Sequence, residues 1–262
     1  MKKLIIILLL SSVSFLAPLS QQAFAQINGM RGSELCSQRK SNMQNPQLLF
    51  GDSQNTPRHK FDVLNYEIHV DIRNCFLSPY PRSFTGYVII TFRVDTALSS
   101  ITLNADNTAI QIVSVSIAGV SFTHASNIVT VTLNRTYNVN EIAQVRVNYN
   151  RLNVSGNGFY AGNGGIFTDS EPGGARRWFP CWDQPYDKAT LDLTAKVPAN
   201  AKLGSNGRLN DSTLTGDTLY YHWISAEPVA TYLIVMTGKI NYNLNIVYGG
   251  AASFAYDLEI WT

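Results

Sequence analysis

Between Thr168 and Thr190 the sequence reads T-D-S-E-P-G-G-A-R-R-W-F-P-C-W-D-Q-P-Y-D-K-A-T, and no other stretch of the chain gathers so many chemically able side chains at fixed spacing. Glu171 stands directly before a Pro-Gly-Gly turn, with Asp169 two positions upstream. Arg176, Arg177, Asp183, Asp187 and Lys188 follow among Trp178, Phe179, Trp182 and Tyr186. Pro172, Pro180 and Pro185 each fix φ and remove an N–H, while Gly173 and Gly174 permit positive φ, so the backbone takes an irregular path that no ladder imposes. Such a path serves to place side chains, and here it holds charges against aromatic surface. A carboxylate held by such a turn can accept charge-assisted hydrogen bonds, which makes Glu171 a candidate binding residue. The plainer reading makes it a turn carboxylate paired with Arg176 or Arg177. Those two arginines read as structural partners of Asp183 or Asp187. Phe179, Trp182 and Tyr186 read as packing surface rather than ligand contacts.

The elements that must position this segment are strands. Tyr66, Ile68, Val70 and Ile72 alternate with Glu67, His69, Asp71 and Arg73, the pattern of a half-buried antiparallel strand. Phe84 to Val94 repeats it, with Gly86 allowing a bend. Further strands are expected at Ile101–Leu103, Ile110–Ile117, Ile128–Leu133, Ile142–Tyr149, Thr190–Val197, Leu219–Ile224 and Tyr232–Ile240. Val113 breaks the alternation and predicts a bulge or a crossing between sheets. Residues Gly156 to Gly165 read as a glycine-rich loop, and Asn206-Gly207 and Gly216-Asp217 as turns. No long helical period occurs, so the expected fold is an all-β antiparallel sandwich.

Lys2 and Lys3, an apolar run from Leu4 and the small-x-small Ala23-Phe24-Ala25 describe a signal peptide over residues 1–25, and export to the periplasm or the exterior. Ser11, Ser12, Ser14 and Pro18 break the apolar run short of the roughly 20 residues that span a bilayer, so no membrane span is expected after cleavage. Residues 26–57, rich in Ser, Asn, Gln and Gly, read as a flexible arm, and 58–250 as the folded domain. Net charge is +2 with basic residues dispersed, which argues against nucleic acid as a partner. His59, His69, His124 and His222 are scattered, whereas a helical zinc pair needs two imidazoles one turn apart; each reads as a surface or strand histidine.

Thr168, Glu171, Ala175, Arg176, Phe179, Pro180, Cys181, Asp183, Pro185, Lys188, Ala189 and Thr190 resemble the signature of the N-terminal domain of M1 zinc aminopeptidases, T-x-x-[EQ]-x-x-x-A-R-x-x-F-P-C-x-D-x-P followed by K-A-T/S. Pro228-Val229-Ala230-Thr231-Tyr232-Leu233 is similar to that family's P-x-x-T-Y-L run. The resemblance covers about Arg58 to Ile240 and implies a saddle-like sandwich. It also implies that Glu171 contacts the amino end of a peptide and that Asp169, where relatives often carry Gln, lines the first side-chain pocket. It makes Cys181 a core cysteine, which leaves Cys36 with Cys75 as the candidate disulfide in an oxidising compartment.

The family's zinc helix H-E-x-x-H and its G-x-M-E-N loop are both missing from this sequence. No cofactor is therefore expected in this chain; zinc is expected in a C-terminal catalytic domain, with residues 251–262 as the start of a truncated segment leading into it. On this reading the chain is the substrate-anchoring part of an aminopeptidase acting on peptide N-termini, and inactive alone. Two alternatives stay open: a non-catalytic secreted β-sandwich that binds a partner through Trp178 or Trp182, and a scaffold homologue that has lost its metal.

Overall fold

A computed structural model describes residues 60–242 apart from 157, together with the backbone of 26–27, 30–31, 244–249 and 256–261. The expected signal peptide, most of the expected arm, His59 and Cys36 lie outside the described residues. So does part of the expected 251–262 segment.

In chain order the strands are β1 (Gln26–Ile27), β2 (Met30–Arg31), β3 (Phe61–Asp71), β4 (Phe84–Val94), β5 (Leu98–Asn104), β6 (Ile110–Ile117), β7 (Gly119–Ala125), β8 (Ile128–Tyr137) and β9 (Ile142–Arg151). They continue with β10 (Gly158–Gly162), β11 (Gly165–Asp169), β12 (Lys188–Pro198), β13 (Ala201–Ser205), β14 (Arg208–Thr215), β15 (Thr218–Ala230), β16 (Met236–Ile240), β17 (Leu244–Gly249) and β18 (Tyr256–Trp261). Three short 3-10 turns, at Arg73–Phe76, Ala175–Arg177 and Thr231–Leu233, complete the described elements.

A seven-stranded sheet in the order β14-β15-β12-β3-β4-β9-β6 is the backbone of the domain. Alternation sends Ile68, Val88, Val147 and Leu193 to one face, where they are fully buried. Two smaller sheets cover that face: β5-β8-β7, contributing Ile101, Leu103, Val129 and Val131, and β10-β11-β16-β13, contributing Phe159, Ile166, Leu203 and Met236. All of these side chains belong to one hydrophobic cluster, as in a sandwich.

Every pairing in the large sheet is antiparallel except one. β12 runs parallel to β3, Leu193 facing Ile68, and the seam is stitched by Asn65 Nδ2 donating to Thr190 Oγ1 at 2.8 Å and Thr190 Oγ1 donating to the Leu64 carbonyl at 3.0 Å.

The expected bulge is present: β6 shifts register against β9 between Ile112 and Ser114, leaving Val113 exposed. Gly86 has a packing reason, since a Cβ there would lie 2.7 Å from the His69 carbonyl oxygen and 3.1 Å from the Tyr149 hydroxyl. Two expectations need correction. The glycine-rich stretch is not a loop but the β10–β11 hairpin, buried on both faces and so without alternation. The strand expected from Tyr232 begins only at Met236, because Thr231–Leu233 turns as 3-10 helix. Of the candidate Cys36–Cys75 pair only Cys75 is described: it is a free, buried thiol 3.6 Å from the Ser83 carbonyl, and burial pushes its pKa up to about 12.

Candidate functional site

β11 ends at Asp169, opposite Gly158 of β10, and Ser170 and Glu171 follow at once. Ser170 is the anchor of this stretch. Its hydroxyl donates to the Ile234 carbonyl at 3.1 Å and accepts the indole N–H of fully buried Trp178 at 3.0 Å. Thr168 does the same one pleat earlier, accepting from the Met236 amide at 2.8 Å. The turn then closes through the Gly174 amide on the Ser170 carbonyl at 2.8 Å. A Cβ at Gly174 would sit 2.5 Å from the Asp169 carbonyl oxygen, so only glycine allows this approach. The result is a half-buried Asp169 and an exposed Glu171 on either side of a pinned, buried serine.

Beneath the turn lies a buried ionic centre. Arg176 Nε donates to Asp183 Oδ2 at 2.7 Å and its terminal nitrogen to the Asp183 carbonyl at 3.2 Å. The other carboxylate oxygen of Asp183 accepts from Thr231 Oγ1 at 2.7 Å, and the Asp183 amide donates to Asn104 Oδ1 at 3.0 Å. Asn104 and Cys181 also form an isolated antiparallel bridge. Asp183 thereby ties the signature segment to the end of β5 and to the turn after β15, which explains why an A-R-x-x-F-P-C-x-D run and a P-x-x-T run belong to one structure. The Asp183 side chain is 1% exposed, so its charge needs these partners.

The expected pairing of the arginines is thus half right. Arg176 takes Asp183, but Arg177 reaches Asp106 at 3.0 Å, a residue the sequence reading did not single out. Burial works against the Asp106 carboxylate, yet hydrogen bonds from Thr108 and the Arg177 charge hold its pKa below the ordinary carboxylate value. Phe179 packs edge-on against Tyr66, centroids 5.7 Å apart, and the Tyr66 hydroxyl accepts the Trp182 amide at 3.1 Å. Trp182 packs on Phe61, while Tyr186 is 42% exposed. Trp178 has no exposed surface, which removes it from the partner-binding groove considered above. Burial likewise raises the Cys181 thiol well above its ordinary range, so it is a packing residue and not a nucleophile.

The three described histidines are each engaged separately. His69 Nε2 lies 2.8 Å from Glu67, His222 Nε2 lies 2.8 Å from Asp192, and His124 Nε2 lies 2.9 Å from the Ala105 carbonyl. Among the described residues no three His, Cys, Asp or Glu side chains converge on one point.

Fold and site together define an all-β domain that presents a carboxylate turn over a buried arginine–aspartate centre. The family profile of the peptidase M1 N-terminal domain matches residues 63–233, and the chain belongs to that family. It is 34% identical over 76 residues to aminopeptidase M1 of Arabidopsis thaliana, covering 29% of this chain and 9% of that protein. It is 31% identical over 102 residues to a probable aminopeptidase 1 of Sulfurisphaera tokodaii, covering 37% and 13%. The M1 zinc metallopeptidase of Deinococcus radiodurans superposes with a TM-score of 0.65 at 23% identity, over 76% of this chain and 46% of that one, and shows the same fold. A variant of that enzyme bound to a Tyr-Ser-Ala substrate gives 0.64 at 22% identity, over 76% and 46%. The chain spans about a tenth of the two curated relatives and under half of the solved ones.

Proposed function

We propose that this chain is the part of an exported zinc aminopeptidase that holds the free amine of a peptide substrate, with Glu171 as the acceptor of the α-ammonium group and Asp169 beside the first side-chain pocket. One observation carries the reading: Glu171 is exposed, yet its neighbour Ser170 is fixed by Trp178 and Ile234, so the carboxylate is offered from a rigid base. The aminopeptidase names of the curated relatives and the tripeptide bound to the Deinococcus enzyme support it.

Zinc, the activated water and the general base would belong to a catalytic domain outside these residues, and no bond-breaking step is assigned to this chain. Its contribution is selection and placement, since an acylated N-terminus offers no charge to the carboxylate. The reading includes a cleaved leader over 1–25, an arm over 26–57 and a domain over 58–250.

The test is a titration of the isotope-labelled chain with Leu-Gly-Gly and with its N-acetyl form, followed by amide NMR. Shifts confined to 169–174 are expected for the free amine alone. They should fade as pH rises through about 8, where an α-amino group loses its proton, and vanish in Glu171→Ala. Equal responses to both peptides, or none to either, sink the assignment.

A further inference from the structure

β14 is an outer strand of the seven-stranded sheet, and among the described residues its sole sheet neighbour is β15. Every residue from Gly207 to Asp217 is exposed, so both faces of the strand and its free edge meet solvent. The strand, R-L-N-D-S-T-L-T, carries neither lysine nor proline, two of the usual devices that stop an edge from pairing.

Its register is self-complementary, and the bulge is the reason. Leu209 faces Trp223 and Asp211 faces His222, so Asn210 is the extra residue. Without it Leu209 and Leu214, five positions apart, would point to opposite faces. With it both stand on the same side, Leu209 across from Trp223 and Leu214 across from Leu219. Arg208, Asp211, Thr213 and Thr215 share the other side, and Ser212 becomes the middle rung. A second copy rotated about an axis through Ser212, normal to the sheet, lays β14 antiparallel against β14. Leu209 then faces the copy's Leu214 in two equivalent places, Arg208 faces Thr215, Asp211 faces Thr213 and Ser212 faces itself. All facing residues lie on one side of the sheet, as antiparallel pairing requires, and no like charges oppose. The leucines so covered are 36% and 59% exposed in the single chain.

We propose that β14 is a self-pairing edge through which two copies of this chain join as a two-fold dimer, making one continuous sheet of their two large ones. The proposal stands apart from the amine-anchoring reading and shares no residue with it.

Sedimentation velocity from about 1 to about 100 μM tests it. The wild-type chain is expected to dimerise. L209K/L214K places like charges across both leucine rungs and should weaken dimerisation at least tenfold. L209K/L214E places opposite charges on the same rungs and should restore it in a salt-sensitive way. Both positions are exposed, so unchanged melting temperatures serve as the folding control. A wild-type chain monomeric at the top concentration overturns the proposal, even if it captures extended peptides. So does a Lys/Lys variant that dimerises like wild type, or a Lys/Glu variant no better than Lys/Lys.

Discussion

The segment from Ser170 to Asp187 and the β14–β15 hairpin are opposites. The first has one isolated bridge and a single 3-10 turn for regular structure, yet buries Trp178, Phe179, Cys181, Asp183 and Asp187. The second is a hydrogen-bonded ladder, broken by one bulge, whose outer strand buries nothing. Between these two regions, regular hydrogen bonding and burial therefore part company. A ladder exchanges water for backbone partners at little net gain, whereas each buried polar group in the irregular segment is expensive to leave unpaired. The carboxylate turn is placed by the second kind of interaction.

The contrast can be broken by substitution. Asp183→Ala deprives Arg176 and Thr231 of their common acceptor and should cost about 3 kcal/mol in urea unfolding, the lower end for a buried pair because the Arg176 side chain is 30% exposed. Arg176→Ala should cost less than that, and the double variant less than the sum of the two. A loss below about 0.5 kcal/mol would mean that the centre does not hold the segment.

A smaller effect lies in alkaline solution. The Cys75 thiol ionises near 9 when unfolded and near 12 when buried, so the unfolded chain gives up its proton first. Stability from this group is complete below pH 9 and declines as pH rises toward 12, by about 1.4 kcal/mol per pH unit within that window. Cys181 shifts in the same direction. Cys75→Ala should flatten the slope, measured by unfolding at pH 8 and pH 10. The smallest change is expected in β14, where Thr213→Ala should alter stability by no more than about 0.5 kcal/mol. A larger loss would erase the difference between the two regions.

Half-buried strands were open to reading because one face differs from the other: β3, β4, β9 and β12 alternate visibly. β7 and β14 escaped because most or all of their side chains are exposed, and β10 and β11 because both of their faces are covered. Period two is absent from the sequence of β10, β11 and β14, and in β7 it spans only Val120 to Thr123. At the site, the residue types and the Arg176–Asp183 pair were legible from spacing seven apart. Asn104, Asp106, Ser170 and Thr231 were not, since their roles depend on segments brought together only by the sheets. Ser170 offered one clue, a small polar residue between two acids ahead of a run of aromatics.

The parallel seam between β3 and β12 divides the large sheet into two pieces that are each local in sequence: β3, β4, β9 and β6 before residue 152, then β12, β15 and β14 after 187. Asn65 and Thr190, which stitch the seam, are 125 residues apart. The earlier piece must therefore emerge from the ribosome with β3, later an interior strand rich in buried Val, Tyr and Ile, bare along one side. Its closure awaits the last third of the chain, and such long-range pairing is slow. A nascent chain stalled near Asp187 would display an adhesive flank with no partner of its own, so holding β3 apart from neighbours until β12 arrives becomes a task for the cell's chaperones.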